Sequence, residues 1–286
     1  MKSYLFPGQG SQFQGMGRDL FDAFPEYERQ ASEVLGYSMR QLCLEDLSRQ
    51  LNLTQFTQPA LFTVNALAWL RKKSDGAAPP DFFAGHSLGE FNALWAAGVF
   101  DFPTGLRLVA RRGELMSHVR GGGMAAVLGL PPHRVRQALQ QPAFAEVDVA
   151  NFNSYEQTVI SGPKDAIDRA VPTFEKAGAS RVIPLNVSAP FHSRSMRDTE
   201  REFAAAVDAL TPAASSVPVI ANLTALPYTA ENLRANLTRQ ISSPVRWIET
   251  IEYLLRQGVS EFEEVGPGNV LTKLVQQIRG RTAFAG

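Results

Sequence analysis

Gly85-His86-Ser87-Leu88-Gly89 reads G-x-S-x-G, and it lies between a short apolar run, Asp81-Phe82-Phe83-Ala84, and a helical pattern over Leu88 to Ala97. A sharp strand-to-helix turn needs small residues on both sides of the serine. It lifts Oγ clear of the backbone and sets it at a helix N-terminus, where free N–H groups can meet a developing oxyanion. Ser87 is therefore a candidate nucleophile. The competing reading is a Gly-rich turn whose serine caps the following helix, with Glu90 in its first turn.

A serine hydroxyl needs a base, most often histidine, and the chain has four: His86, His118, His133 and His192. His86 adjoins the nucleophile, and neighbours in a tight turn diverge. His118 falls near a helix end, where an imidazole stabilises the terminus. His133 opens a helix after two prolines and is expected in solvent. His192, in the non-helical Ser188-Ala189-Pro190-Phe191-His192-Ser193, is the candidate that elimination leaves, since loops present catalytic groups. No acidic residue falls in a motif that would complete a triad. A dyad oriented by a backbone carbonyl and a full triad both stay open.

The helix containing Arg111 and Arg112 separates the two. The i±3 and i±4 neighbours of Arg112 are Leu108, Val109, Leu115 and Met116, whereas those of Arg111 include Arg107 and Glu114. Arg112 should face the interior and Arg111 water. A buried guanidinium is costly unless an anion meets it. Either a structural carboxylate such as Glu90 or the free carboxylate of a dicarboxylic acyl group would serve.

These residues must be held by a sizeable core. The 286 residues are 44% hydrophobic, and 28 basic residues balance 28 acidic ones. Zero net charge excludes a polybasic footprint for nucleic acid or membrane. With Cys43 as the sole cysteine there is no internal disulfide or cysteine metal cluster, which suits a reducing cytoplasmic setting. With so few and so scattered His and Cys, no metal is assigned. No apolar run approaches the roughly 20 residues that span a bilayer.

Strand Tyr4–Phe6 runs into the loop Pro7 to Gln12, and helices are expected over Met16–Leu35, Pro59–Arg71, Leu88–Ala97 and Pro103–Val119. Gly121-Gly122-Gly123 reads as a flexible hinge. After it, strands at Met124–Gly129, Val147–Ala150, Thr158–Ser161 and Arg181–Pro184 alternate with helices at Pro132–Gln140 and Lys164–Ala177. That order, β-α-β-β-α-β, is ferredoxin-like. Helices near Met196–Leu210, Ala230–Arg239, Ile248–Gln257 and Val270–Ile278 and a strand at Glu261–Val265 follow. The predicted fold is α/β: a large α/β-hydrolase-like domain with a parallel sheet and nucleophile elbow, residues 1–123 and 188–286, and a small inserted ferredoxin-like domain, 124–187.

Taken together, Phe6-Pro7-Gly8-Gln9-Gly10-Ser11-Gln12, Thr57-Gln58-Pro59-Ala60, Gly85 to Glu90, Arg112-Gly113, Asn151-Phe152-Asn153-Ser154, Ala189 to Ser193, Ser243-Pro244-Val245-Arg246-Trp247 and Glu264-Val265-Gly266-Pro267-Gly268 span nearly the whole chain. In this order they resemble the malonyl-CoA:acyl carrier protein transacylases and the acyltransferase domains of polyketide synthases. The resemblance implies Ser87 as nucleophile, His192 as base, Arg112 as clamp on the malonyl carboxylate and Gln58 in the pocket. It implies an oxyanion hole from the N–H groups of Gln9 and Leu88, and a carbonyl near Arg246 that orients the imidazole. Leu88 and Phe191 look like the malonyl type, the Phe191 ring leaving no space for an α-methyl group. Arg246 stands where stand-alone fatty-acid enzymes often carry Gln and leans toward the polyketide branch. The implied partners are malonyl-CoA and an acyl carrier protein that brings its own phosphopantetheine, with no further cofactor, nucleic acid or membrane.

A serine acyl hydrolase, a thioesterase or a proofreading relative, shares the elbow and histidine. It would not need an interior Arg112 or the Gly8–Gln12 loop. That loop is not a dinucleotide site, since G-x-G-x-x-G would require glycine where Phe13 stands. Lys72 and Lys73 give no clear docking patch.

Overall fold

The computed structural model describes residues 1–187 and 189–282; Ser188 of the histidine loop and the terminal residues 283–286 lie outside it. Four buried or half-buried strands form one parallel sheet in the order β7-β2-β1-β8: β1 (Lys2–Phe6), β2 (Phe82–Gly85), β7 (Val219–Ile220) and β8 (Glu261–Glu264). Parallel strands send all their C-terminal ends to one edge, where open α/β sheets bind ligands. Here β1 delivers the Pro7–Gln12 loop, β2 the Ser87 turn, β7 leads to Asn222, and β8 to the final helix, Val270–Thr282.

Antiparallel pairing builds a second sheet in the order β4-β5-β3-β6: β3 (Gly122–Leu128), β4 (Asp148–Ser154), β5 (Gln157–Pro163) and β6 (Arg181–Pro184). With helices Pro132–Leu139 and Lys164–Lys176 interleaved, the order is β-α-β-β-α-β. Side chains alternate across the sheet. Ala125, Val127 and Ile160 pack with Val135, Ile167 and Phe174 of the helices. Met124, Ala126 and Val159 belong to the core of the large sheet.

The two sheets are stitched at the outer edge of β4. Val245 N–H donates to the Ala150 carbonyl (2.8 Å), and Phe152 N–H donates to that of Val245 (3.0 Å). The segment leading to helix Trp247–Arg256 thus adds a parallel bridge to the small sheet.

Several expectations shift. Gly122 and Gly123 are not a hinge: they open β3, and a Cβ on Gly122 would come within 2.2 Å of Pro190 Cδ. The long first helix breaks at Pro25 into Arg18–Phe21 and Pro25–Leu35, as a proline that cannot donate dictates. The next helix begins at Thr54 rather than Pro59, with Pro59 early enough to be tolerated, and runs to Ser74. Helix Met39–Leu44 and the two-residue β7 carried no signal long enough to see. Lys72 lies in the last turn of that helix and pairs with Glu263.

The tightest constraint sits between β1 and the elbow. A Cβ on Gly89 would lie 1.9 Å from the Phe6 carbonyl oxygen, and one on Gly85 would lie 2.0 Å from Gly89. Gly89→Ala should therefore cost about 3 kcal/mol or more, as backbone must move. Gly280→Ala, with open space inside the final helix, should gain up to about 1 kcal/mol. Thermal melts of the two variants check the contrast: equal Tm values would mean the elbow is not packed this tightly.

Candidate active site

Ser87 adopts φ 50°, a left-handed backbone that an ordinary residue takes only when its surroundings enforce it. Asn222, just past β7, enforces it from both sides: Oδ1 accepts from Ser87 N–H (2.7 Å) and Nδ2 donates to the Gly85 carbonyl (2.6 Å). The outcome is a hydroxyl held 2.8 Å from His192 Nε2. His192 also has positive φ, 58°, and lies on the loop that follows the small sheet.

The imidazole's other nitrogen settles its tautomer. Nδ1 faces two carbonyl oxygens, Gln240 (2.9 Å) and Ser243 (3.1 Å), so it must carry hydrogen and donate. Nε2 is then the lone pair that accepts from Ser87 Oγ–H. Burial, reinforced by the Arg112 cation, pushes the imidazole down to about 3. Among the described residues no carboxylate hydrogen-bonds the ring; neutral carbonyls do the orienting. The carbonyl of Arg246 is not among them, because it accepts the first helical bond from Thr250 N–H. The Arg246 guanidinium folds back onto Glu249 one turn along (Nε to Oε1, 3.0 Å), and the residue does not line the cavity.

Arg112 is 1% exposed and Arg111 is exposed beside Glu114, as helix Phe102–His118 requires. Close approach at Gly113, where a Cβ would sit 3.1 Å from the Thr54 carbonyl, brings this helix onto Gln58. Among the described residues Arg112 has only neutral acceptors: Gln58 Oε1 (2.6 Å), Gln240 Oε1 (2.8 Å) and Ser87 Oγ (3.2 Å). Its Nε has no partner, and the Phe91 ring lies 5.6 Å from the guanidinium carbon. Burial lowers its pKa to about 10. Glu90 does not touch it. The Gln240 amide stands between them, its Nε2 donating to Glu90 and to the Ser87 carbonyl (2.8 Å). Glu90 also accepts from Tyr228 (2.6 Å) and Asn222 N–H (2.8 Å), and burial raises it to about 7.

A cavity of about 270 Å³ opens between the two sheets over Ser87, Arg112 and His192, with Gln58, Leu88 and Phe191 in its wall. The loop carrying Gln9 presses onto the elbow: a Cβ on Gly8 would lie 2.4 Å from the His86 carbonyl. Neither Gln9 N–H nor Leu88 N–H has a partner among the described residues, and both residues line the cavity. His86 bonds Asn153 of β4 (2.8 Å), while His118 and His133 are exposed. Sequence reasoning missed Gln240 and Asn222, which stand outside any motif, and gave no role to Asn153, although it lies within Asn151-Phe152-Asn153-Ser154.

An imidazole this shielded from protonation should stay a working base in acid. Labelling of Ser87 by a fluorophosphonate, followed by intact mass, should keep its rate down to about pH 5. A fall with midpoint near 6.5, the ordinary histidine value, would show that burial does not hold the ring neutral.

Comparison with known proteins agrees with this fold. The sequence matches the acyl transferase domain family over residues 3–281. It is 53% identical over 280 residues to the polyketide biosynthesis malonyl CoA-acyl carrier protein transacylase PksC of Bacillus subtilis, covering 98% of this chain and 97% of that one. Its fold superposes on the crystal structure of a malonyl CoA-acyl carrier protein transacylase from Burkholderia pseudomallei with TM-score 0.95, at 48% identity and 98% coverage of both chains. A malonyl-transacylase solved in complex with its type II polyketide synthase acyl-carrier protein aligns with TM-score 0.93 at 39% identity, over 98% of this chain and 93% of that one. The parallel sheet, the elbow on β2 and the inserted antiparallel sheet are thus those of a known architecture, and the chain belongs to the acyl transferase domain family.

Proposed function

We propose that the protein transfers a malonyl group from malonyl-CoA to the phosphopantetheine thiol of an acyl carrier protein, serving a polyketide synthase in trans or fatty-acid synthesis. The observation that carries this reading is the buried Arg112, which holds three neutral acceptors and no carboxylate next to the nucleophile. A carboxylate brought by the acyl group would complete it. The similarity to PksC supports the same substrate pair. The single, buried Cys43 supports a reducing cytoplasmic setting, and no helix among the described residues is long and apolar enough to cross a membrane.

In the first half-reaction, Ser87 Oγ attacks the thioester carbonyl as His192 Nε2 takes its proton. The Gln9 and Leu88 N–H groups receive the oxyanion. Collapse breaks the C–S bond, and the departing coenzyme A sulfur takes the proton from His192. The acyl-serine then meets the carrier's thiol, whose proton passes to His192 as sulfur attacks. Ser87 Oγ leaves and recovers the proton, giving ping-pong kinetics. Arg112 and Gln58 hold the distal carboxylate in both halves, and Phe191 closes the space an α-methyl group would need.

Brief mixing with malonyl-CoA should add one malonyl mass to wild type and none to Ser87→Ala, and carrier protein should remove it. Malonate release without an acceptor would instead establish the hydrolase alternative. Arg112→Ala should lower kcat/KM for malonyl-CoA by roughly 100-fold while sparing acetyl-CoA, as expected when one partner of a buried charge pair is truncated. A parallel fall for both thioesters would remove Arg112 from acyl selection. Phe191→Ser should shift the methylmalonyl-to-malonyl ratio of kcat/KM upward by about 10-fold or more, the scale of one methyl group in such a pocket. An unchanged ratio would clear Phe191 of that role.

A further inference from the structure

Two buried polar side chains decide how the loop after β1 presents its Gln9 N–H. Residues Gly8 to Ser11 form a tight turn, closed by Ser11 N–H donating to the Gly8 carbonyl (3.3 Å). Gly10, third in the turn, takes φ 108°, the left-handed backbone that a type II turn asks of that position. The closing main-chain bond is long, and the Ser11 hydroxyl reinforces it by donating to the same Gly8 oxygen at 2.8 Å. A trans peptide is planar, with its C=O and N–H on opposite sides. The Gly8 carbonyl and the Gln9 N–H belong to one such peptide, so holding the oxygen at one end aims the hydrogen at the other. Ser11 lines the cavity, yet its proton is committed to this carbonyl.

The preceding peptide is tied down as well. Among the described residues the Pro7 carbonyl accepts from Asn65 Nδ2 alone (3.0 Å), and Asn65 comes from helix Thr54–Ser74. The same nitrogen donates to Asn92 Oδ1 (3.0 Å), and Asn92 Nδ2 donates on to the Phe62 carbonyl (2.8 Å). Asn92 lies in helix Gly89–Ala96, one turn beyond Leu88. A pair of fully buried amides thus fastens the loop bearing Gln9 to the helix that Leu88 begins. Asn65 has no room to swing away. A Cβ on Gly266, at φ 149°, would lie 2.1 Å from its Oδ1, so the chain after β8 closes over it. Two donors drawn from separate elements can serve one oxygen only if their aim and spacing are fixed beforehand.

Resting on the reading above, in which the Gln9 and Leu88 N–H groups receive the oxyanion, we propose that Ser11 and Asn65 are positioning residues for that pair. The Ser11 hydroxyl aims the Gln9 N–H, and Asn65 sets its distance from that of Leu88. Neither side chain meets the acyl group; both act through backbone, at Gly8 and at Pro7. Acylation and transfer each form an oxyanion on the same carbonyl, so a fault in aim slows the two half-reactions alike. It leaves the Arg112 clamp and the His192 base as they were.

Single-turnover rates of Ser87 acylation and of transfer to the carrier protein, read by intact mass, test this. Ser11→Ala should lower both by one common factor of about tenfold, short of the roughly 100-fold or more that outright loss of an oxyanion donor costs. The remaining Ser11 N–H still grips the carbonyl. KM for malonyl-CoA and for the carrier, and the malonyl-to-acetyl preference, should stay within about twofold, since ground-state binding is untouched. Ser11→Thr, which restores a hydroxyl, should recover most of the lost rate. Asn65→Asp, nearly isosteric but without the donor, should repeat the common fall; if a melt shows that it does not fold, the two Ser11 variants decide. Wild-type rates in Ser11→Ala, no recovery in Ser11→Thr, or an unequal fall in the two halves overturns the proposal. So does a changed KM or acyl preference, which would place Ser11 on the substrate itself. Fluorophosphonate labelling of Ser87 seats a phosphoryl oxygen in the same hole with no malonyl group, and it should slow likewise in Ser11→Ala. A wild type that labels normally yet forms no malonyl adduct sinks the transferase reading alone.

Discussion

A positive charge buried without its counterion governs this site. Arg112 is withdrawn from water among apolar side chains, and the groups that reach it are two amide oxygens and one hydroxyl. Neutral oxygens offset only part of the desolvation, so the site keeps an unmet demand for an anion. The unused Nε is the visible sign of it. That demand gives the cavity its chemical preference, and the same cation adds to burial in keeping a proton off His192. A carboxylate built into the protein at this point would have satisfied Arg112 permanently and removed that preference. Glu90 meets the other end of the same Gln240 amide, which stands between it and Arg112.

Gln240 is consequently the joint of the site. Its backbone carbonyl receives His192 Nδ1–H, its side-chain oxygen receives Arg112, and its amide nitrogen meets Glu90 and the Ser87 carbonyl. The amide cannot rotate end for end without setting N–H against guanidinium and oxygen against carboxylate. Glu90 thereby fixes an orientation two bonds away from the hydroxyl it never touches. This explains how a serine–histidine pair can do without an acid: the role is divided between two carbonyls that aim the ring and a distant carboxylate that aims the residue bearing one of them.

How much of this the sequence disclosed followed from how local each signal was. The elbow is written in five consecutive residues, since strand, turn and helix are contiguous and the glycines answer to one steric contact. Arg112 is legible because helix periodicity alone separates it from Arg111. His192 came out by elimination among four. Gln240, Asn222 and Asn153 act through pairings 48 or more residues away in the chain, and an amide side chain carries no periodic signature of its role. The carbonyl sought near Arg246 is that of Ser243, joined by that of Gln240, while Arg246's own carbonyl is engaged in starting a helix. Glycine content suggested freedom at Gly122-Gly123, where packing against Pro190 needs the absence of a side chain. Strand β7 is two residues long, too short to show any alternation.

The stitch between β4 and Val245 reaches further than holding two sheets together. The strand that supplies Asn151 and Asn153 to the cavity wall is fastened to the stretch of chain whose carbonyls aim His192. Geometry on the substrate side and geometry on the base side are therefore one mechanical unit, and the inserted sheet cannot swing away as an independent lid. For anyone recombining such enzymes, the natural module is not the inserted segment that contiguity in the chain suggests. A chimera that exchanges residues 122–187 but keeps the recipient's 240–246 would graft a new acyl wall onto a base tuned to the old one. The exchange that preserves catalysis carries both stretches together.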